Sequence, residues 1–342
     1  MSDEANLFAQ QESNRRRSTW LILVFVLFFA WVGFGGDLAF WLLTADAAPG
    51  SYRHVVPLFG IFTTLIAGGI CWYAWRRGAE RVLWATGAWE IIEPATPQQK
   101  QLINVVEEMA IAAGLPKPRV WVVPDADPNA FATGRDAKTA SIAVTEGLLG
   151  QLSRDELQAV VAHEMSHIRN LDVRLMTLLA GMVGAIALMS DGFGRTARGG
   201  RIGGSGRRLG GKGGNPLAIV ILVLWLITLI VAPMVSRLLA MTVSRKREYL
   251  ADATGVQLTR NPMALASALE KLDGATAATR AITRGAAHLC IVDPAPGVMG
   301  AKEGFLADFL ASHPPIRQRI IRLRGMAYQQ AKQGPASAVS PP

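Results

Sequence analysis

His163-Glu164-Met165-Ser166-His167 decides how this chain is read. The five residues form an HExxH pattern inside a stretch of helical composition. On a helix, positions i and i+4 share a face, so both imidazoles can address one metal ion. Glu164, one residue after the first histidine, then reaches the open side of that metal, which is the arrangement of a zinc hydrolase. The plainer reading is two surface histidines on an amphipathic helix. It is weakened by the apolar turns on either side and by the scarcity of histidine, five in 342 residues.

On the N-terminal side, Ser153 and Glu156 fit a capping box, so a helix is expected to start near Arg154 and carry the pentapeptide. Before it lie three β-rich runs, Val120 to Val123, Asn129 to Gly134 and Ala140 to Thr145, separated by Asp- and Pro-containing turns, which imply a small sheet. Thr96-Pro97 reads as N-cap and first helical residue. Leu102, Val105, Val106 and Met109 carry the helical period until Gly114 stops it. After a linker near Ala85 to Ala95, a soluble domain therefore begins at this helix.

On the C-terminal side, Leu175 to Ser190 is uncharged and Leu217 to Val235 is almost entirely apolar. Between them, residues 195–214 are glycine-rich and carry Arg195, Arg198, Arg201, Arg207, Arg208 and Lys212, the composition of a flexible loop. Two full spans are expected, because the second segment has spanning length. Six positive charges would then face outward, against the positive-inside tendency. A shallow membrane hairpin or a helix pair buried in the protein is the other arrangement.

Half the residues are hydrophobic, the formal charge is +9, and the apolar residues are clustered, as in membrane proteins. Thr19 to Gly36 and Val55 to Trp75 are uncharged runs close to the length that crosses about 30 Å of hydrocarbon. Asp37 interrupts the first, which continues apolar through Leu43, and needs a partner or a polar interface. A cleaved signal peptide is disfavoured, since the apolar region is too long and another follows at once. Arg15, Arg16 and Arg17 before the first span, and Arg76, Arg77 and Arg81 after the second, place both ends of this hairpin in the cytoplasm. Two cysteines, Cys71 and Cys290, exclude a disulfide framework or a cysteine zinc site. The positive balance has no aromatic-interleaved basic motif with it, so lipid headgroups and not nucleic acid account for it.

A catalytic zinc site usually has three protein ligands and an open position for water. Beyond His163 and His167, the best third ligand is Glu248 in Ser244-Arg245-Lys246-Arg247-Glu248-Tyr249-Leu250-Ala251-Asp252, with His313 its main competitor. Glu248 and Asp252 share a helical face, so Glu248 can ligate while Asp252 accepts a hydrogen bond from a ligand histidine. Asp252 could equally pair with Arg245, Lys246 or Arg247. The other histidines are His54 and His288, and His288, in a segment rich in Ala and Gly, shows no metal-binding pattern.

HExxH, a distant glutamate in an ExxxD pattern, four apolar segments, Asn129-Ala130-Phe131-Ala132-Thr133-Gly134 and a later His313-Pro314 together resemble the HtpX-type membrane zinc endopeptidases, relatives of the CaaX prenyl proteases. The resemblance covers about residues 15–330. It implies a multi-pass α-helical membrane protein with a mainly α-helical, gluzincin-like zinc protease domain carrying a small β-sheet, one Zn2+ per chain, and cleavage of damaged membrane proteins at the bacterial inner membrane with the site facing the cytoplasm. The glycine- and arginine-rich loop departs from the family pattern. By the same resemblance His313, with Arg317 or Arg319, would stabilise the oxyanion, and Asn129, Ala130, Phe131 and Ala132 would bind substrate by strand addition. The plainer readings are a basic C-terminal helix and an ordinary hairpin strand.

The resulting organisation is a tail over 1–18, a transmembrane hairpin over 19–75 (about 19–43 and 55–75), protease residues 85–172, a second apolar pair over 173–236, protease residues 237–330 and a disordered end over 331–342. Expected partners are membrane-protein or unfolded-protein substrates and the lipid bilayer, with homo-oligomerisation left open. Two competing functions are a CaaX-type processing protease, for which four spans are few to enclose a chamber, and a non-enzymatic scaffold that holds zinc or uses the basic loop.

Overall fold

The computed structural model describes residues 3–45, 50–182, 220–221, 223–225, 227, 245–274, 289–292 and 314–333. His288, His313, the loop at 195–214 and most of 183–243 lie outside the described residues, as do 334–342. The chain divides into two compact units: Met1–Arg15 with Arg77–Ala180 and Ala240–Pro342, and Arg16–Arg76 with Gly181–Leu239.

The second of these units contains most of α1 (Asp3–Thr44) and of α2 (Leu58–Ala85). Both are long and apolar enough to cross a membrane. Helix α1 begins at Asp3, so most of the expected tail is helical, and α2 runs ten residues past Trp75 to Ala85. Gly33 of α1 and Gly60 of α2 lie where the helices touch. A Cβ on Gly33 would collide with Thr63, and one on Gly60 with the Phe34 ring, the small-residue contact that lets membrane helices approach closely. Asp37 has the partner its position demands: His54 Nε2 lies 2.7 Å from its carboxylate, and the backbone N–H groups of Gly60 (2.6 Å) and Phe59 (3.3 Å) donate to it at the start of α2. Large side chains such as Trp20, Leu27, Phe62, Leu65 and Trp72 are exposed on this pair. Trp225, from the second apolar segment, packs over Gly35 and Gly36 and donates to the Val32 carbonyl at 2.5 Å.

The first unit holds a four-stranded sheet and the helices packed on it. Strands β1 (Trp89–Glu90), β2 (Arg119–Val123), β3 (Ala130–Thr133) and β4 (Ser141–Thr145) lie in the order β1-β2-β4-β3, with β2 and β4 parallel and the outer pairings antiparallel. The three expected strands are present. The two-residue β1 was not anticipated, being too short to carry an alternating pattern. Thr96 caps α3 (Pro97–Ala113), accepting from the Gln99 N–H, and Gly114, at φ 66°, ends it in the left-handed conformation that glycine adopts without a Cβ clash. Leu102, Val105, Val106, Met109 and Ala113 form its buried face. They meet Ile142 and Val144 of β4 and Leu157, Val160 and Val161 of α5 (Arg154–Arg169) in one core. Each large aliphatic side chain buried there contributes about 1.5–3 kcal/mol. Short α4 (Glu146–Gln151) leads from β4 toward α5. Helices α6 (Arg245–Thr259), α7 (Pro262–Asp273) and α8 (Ile316–Gln333) complete this unit. β3 is the sheet edge and packs beside α5.

Candidate metal centre

Helix α5 starts as its sequence requires. The Ser153 side chain accepts from the Glu156 N–H and the Glu156 carboxylate accepts from the Ser153 N–H, a complete capping box. Glu156 also accepts from Ser267 Oγ (2.6 Å) and Lys271 Nζ (2.7 Å), both on α7. Burial works against its charge, but these donors outweigh it and hold the carboxyl down at about 2. Two turns on, His163, Glu164 and His167 are buried on the helix face turned toward α6 and β3.

Helix α6 approaches α5 closely at Gly255, where a Cβ would stand 3.2 Å from the His163 backbone nitrogen and 3.4 Å from its Cα. That contact sets the depth at which α6 delivers Glu248 and Asp252. Glu248 Oε2 lies 3.7 Å from His163 Nε2, Glu248 Oε1 lies 3.7 Å from His167 Nε2, and the two Nε2 atoms are 3.3 Å apart. Asp252 Oδ1 sits 3.0 Å from His163 Nδ1, and Asp172 Oδ2 sits 3.1 Å from His167 Nδ1. Each imidazole thus has a carboxylate behind it, which favours the proton on Nδ1 and leaves a lone pair on Nε2.

This donor set fits a zinc ion. Two Nε2 lone pairs and a buried carboxylate converge on one point, with all ligand atoms within 4.8 Å of one another. Without a cation among them they repel. Tetrahedral zinc with Zn–N near 2.0–2.1 Å separates its ligand atoms by about 3.3 Å, which matches the imidazole spacing. Although burial opposes charge on His167, its hydrogen bond to Asp172 and the nearby carboxylates push it up to about 9, so a metal bound at Nε2 takes the place of a proton. Glu164 Oε2 is buried and has no hydrogen-bond partner among the described residues. Burial pushes the Glu164 carboxyl up, with the two histidines pulling the other way, and the Ala132 backbone N–H donates to it.

Arg319 of α8 is fully buried beside this centre. Its Nε and Nη2 grip Asp252 in a two-point contact (2.9 and 2.7 Å), and its Nη1 donates to the Ile291 carbonyl at 3.0 Å. Nη1 is also 3.5 Å from Glu248 Oε2, and Nη2 is 3.5 Å from His163 Nε2. Burial raises the Asp252 carboxyl and disfavours the guanidinium, but each charge more than repays the other: Asp252 is held at about 2 and Arg319 is raised. Arg317, on the same helix, is exposed.

The edge strand is also at the site. Asn129, Ala130, Phe131 and Ala132 are all buried. Leu289 to Val292 runs antiparallel to the outer edge of β3: Phe131 bridges Cys290, the Ile291 N–H donates to the Ala130 carbonyl at 2.9 Å, and Asn129 Nδ2 donates to the Val292 carbonyl at 3.1 Å. Asp172 and Gly255 were not found from the sequence. An acid five residues past the second histidine, just beyond the helix end, is a usable signal for the first. Nothing local marks the second.

The converging donors are those of a candidate metal-dependent hydrolase. A model of peptidase family M48 matches residues 96–327. The protein named "Protease HtpX homolog" in Caldanaerobacter subterraneus subsp. tengcongensis is 41% identical over 322 residues, 94% of this chain and 98% of the relative. The protein of the same name in Streptococcus gordonii is 37% identical over 323 residues, 94% and 100% of the two chains. The crystal structure of S. mikatae Ste24p aligns with TM-score 0.43 and 19% identity, covering 90% of this chain and 66% of that one. The chain belongs to peptidase family M48.

Proposed function

We propose that this protein is a multi-pass, zinc-dependent endopeptidase of the bacterial inner membrane, with a cytoplasmic active site that hydrolyses damaged or misfolded membrane proteins. The observation that carries the chemistry is the convergence of His163 Nε2, His167 Nε2 and Glu248 on one buried point beside Glu164. Membrane residence rests on the two apolar helices, and orientation on the arginines that flank them. The quality-control role rests on the family resemblance.

His163, His167 and Glu248 hold one zinc per chain. When bound there, zinc supplies a Lewis acid that polarises the scissile carbonyl and acidifies a water. Glu164 accepts the proton of the attacking water and returns it to the leaving amine, so no covalent enzyme intermediate is needed. Asp252 and Asp172 hold the ligand imidazoles in one tautomer and orientation.

An extended substrate adds along β3 through main-chain hydrogen bonds, which accounts for broad sequence tolerance. This reading is supported by residues 289–292, whose backbone meets the Ala130 carbonyl and the Asn129 amide while Arg319 Nη1 donates to the Ile291 carbonyl. Substrate takes this edge when that segment gives way. Arg319 is then a donor to a substrate carbonyl as well as the clamp on Asp252.

The test is zinc content and cleavage of an unfolded protein by detergent-purified wild type and Glu164→Gln, purified in chelator and then given zinc. Both are expected to bind about one equivalent, with the variant's turnover down at least about 100-fold. Equal cleavage by both, or no retained zinc in either, overturns the reading.

A further inference from the structure

His167 owes its orientation to a network that begins near the start of the chain. After α5, Asn170 is still in a right-handed conformation and Leu171 turns to φ 58°, the left-handed region that a bulky side chain rarely enters. This turn carries Asp172 back beneath the last turn of α5, where it is fully buried against His167. Below it, residues 172–182 are again helical.

A buried carboxylate needs several donors. Asp172 Oδ1 receives one from Asn14 Nδ2 at 2.7 Å, and Arg247 Nε lies 3.6 Å from the same oxygen. The Asn14 amide also donates to the Asn170 carbonyl at 2.8 Å, one of those left without an intrahelical partner where α5 ends. Because both partners of Nδ2 are acceptors, the amide can be oriented only one way. Gln11, three residues earlier on α1, donates to the Arg169 carbonyl at 2.7 Å. Asn14 is 1% exposed. All of these residues belong to the same compact unit.

We propose that Asn14 is a positioning residue for the metal centre: its amide fixes Asp172, which fixes the Nδ1 side of His167 and so aims Nε2 at the metal. The residues ahead of the first apolar run thereby help to build the site. Asparagine suits the position because one short side chain supplies two donor hydrogens. Aspartate would set a second carboxylate against Asp172, and alanine would remove a donor from a buried charge.

This inference rests on the metal-site reading above, and the experiment separates the two. Full-length protein in detergent is titrated with Zn2+ against a chromophoric chelator, and the visible absorption of the Co2+-loaded form is recorded. Wild type, Asn14→Ala, Asn14→Ser, Asn14→Asp and His167→Ala are compared, with thermal unfolding of each metal-free protein. The expected result is a roughly 10- to 100-fold loss of zinc affinity in Asn14→Ala and a larger one in Asn14→Asp. Asn14→Ser, which keeps a small donor, is expected to lose less, and the alanine variant's Co2+ spectrum to shift, a change that lost stability alone would not produce. If His167→Ala abolishes binding but a folded Asn14→Ala, or a folded Asn14→Ser should alanine fail to fold, keeps wild-type affinity and spectrum, the Asn14 proposal falls. If His167→Ala binds as wild type does, the metal-site reading itself falls.

Discussion

Gly255 of α6 lies against the backbone of His163, so close that a Cβ at 255 would stand 3.2 Å from the histidine's nitrogen. A backbone neighbour cannot rotate away as a side chain can. The extra atoms must separate α6 from α5, and Glu248 and Asp252 ride on α6, about two turns and one turn before the contact respectively. Gly255→Val is expected to cost about 1–3 kcal/mol by overpacking and to weaken zinc binding by moving Glu248 outward. Gly255→Ala should do less of both. Thermal unfolding beside a metal titration checks this, and a valine variant with unchanged zinc affinity would show that the contact does not set the site.

Arg319 and Asp252 are a buried two-point ion pair whose partners are both close to fully enclosed. Removing one charge strands the other. Arg319→Leu is therefore expected to destabilise the protein by about 3–5 kcal/mol, read from denaturant midpoints. The double variant Arg319→Leu with Asp252→Asn should lose less than the two single losses combined. Arg319→Lys keeps the charge without the planar fork and should fall between wild type and leucine. Strict additivity in the double variant would mean that the pair is not coupled.

How much of this was legible beforehand depends on whether the signal is local. The Ser153–Glu156 cap, the Thr96 start and the Gly114 stop follow from residues within one helical turn, and each appears as read. The ExxxD pair was legible because four-residue spacing already puts Glu248 and Asp252 on one face. Asn14 and Asp172 stand 158 residues apart, and no spacing rule joins them. Gly255 is one of 34 glycines, and only the helix packing distinguishes it. Two-residue β1 carries no period, and the reach of α1 back to Asp3 is hidden by its polar first turns.

Glu156 ties the start of α5 to α7, and its depressed pKa links that joint to pH. Its carboxyl falls from 4.5 to about 2 in the folded protein, so the stability it contributes is fully present above 4.5 and is lost as pH falls from there through 2. With Lys271 partly exposed, the contribution is about 2–3 kcal/mol. Glu156→Gln should lower the midpoint of urea unfolding at pH 7, with the gap to wild type closing as pH approaches 2. A gap that does not depend on pH would assign the effect to packing instead of charge.

The Ile291 N–H donates to the Ala130 carbonyl on the open side of β3, the side on which a substrate strand is proposed to lie. Two segments cannot hold one carbonyl and one edge together. In the proposed mode residues 289–292 would compete with substrate, and weakening their hold is expected to favour cleavage. Ile291→Pro removes that donor, and because Ile291 is buried in the core its thermal unfolding is measured alongside. Losing one such hydrogen bond, worth about 0.5–1.5 kcal/mol, corresponds to a roughly 2- to 10-fold lower KM for an unfolded substrate, with kcat changed less. Asn129→Ala removes a donor that either occupant of the edge would use, so its KM should move less than that of Ile291→Pro. A lower KM in Ile291→Pro with little change in Asn129→Ala identifies this edge as the substrate track. A parallel loss of kcat in both, with KM unmoved, would make residues 289–292 part of the scaffold of the site.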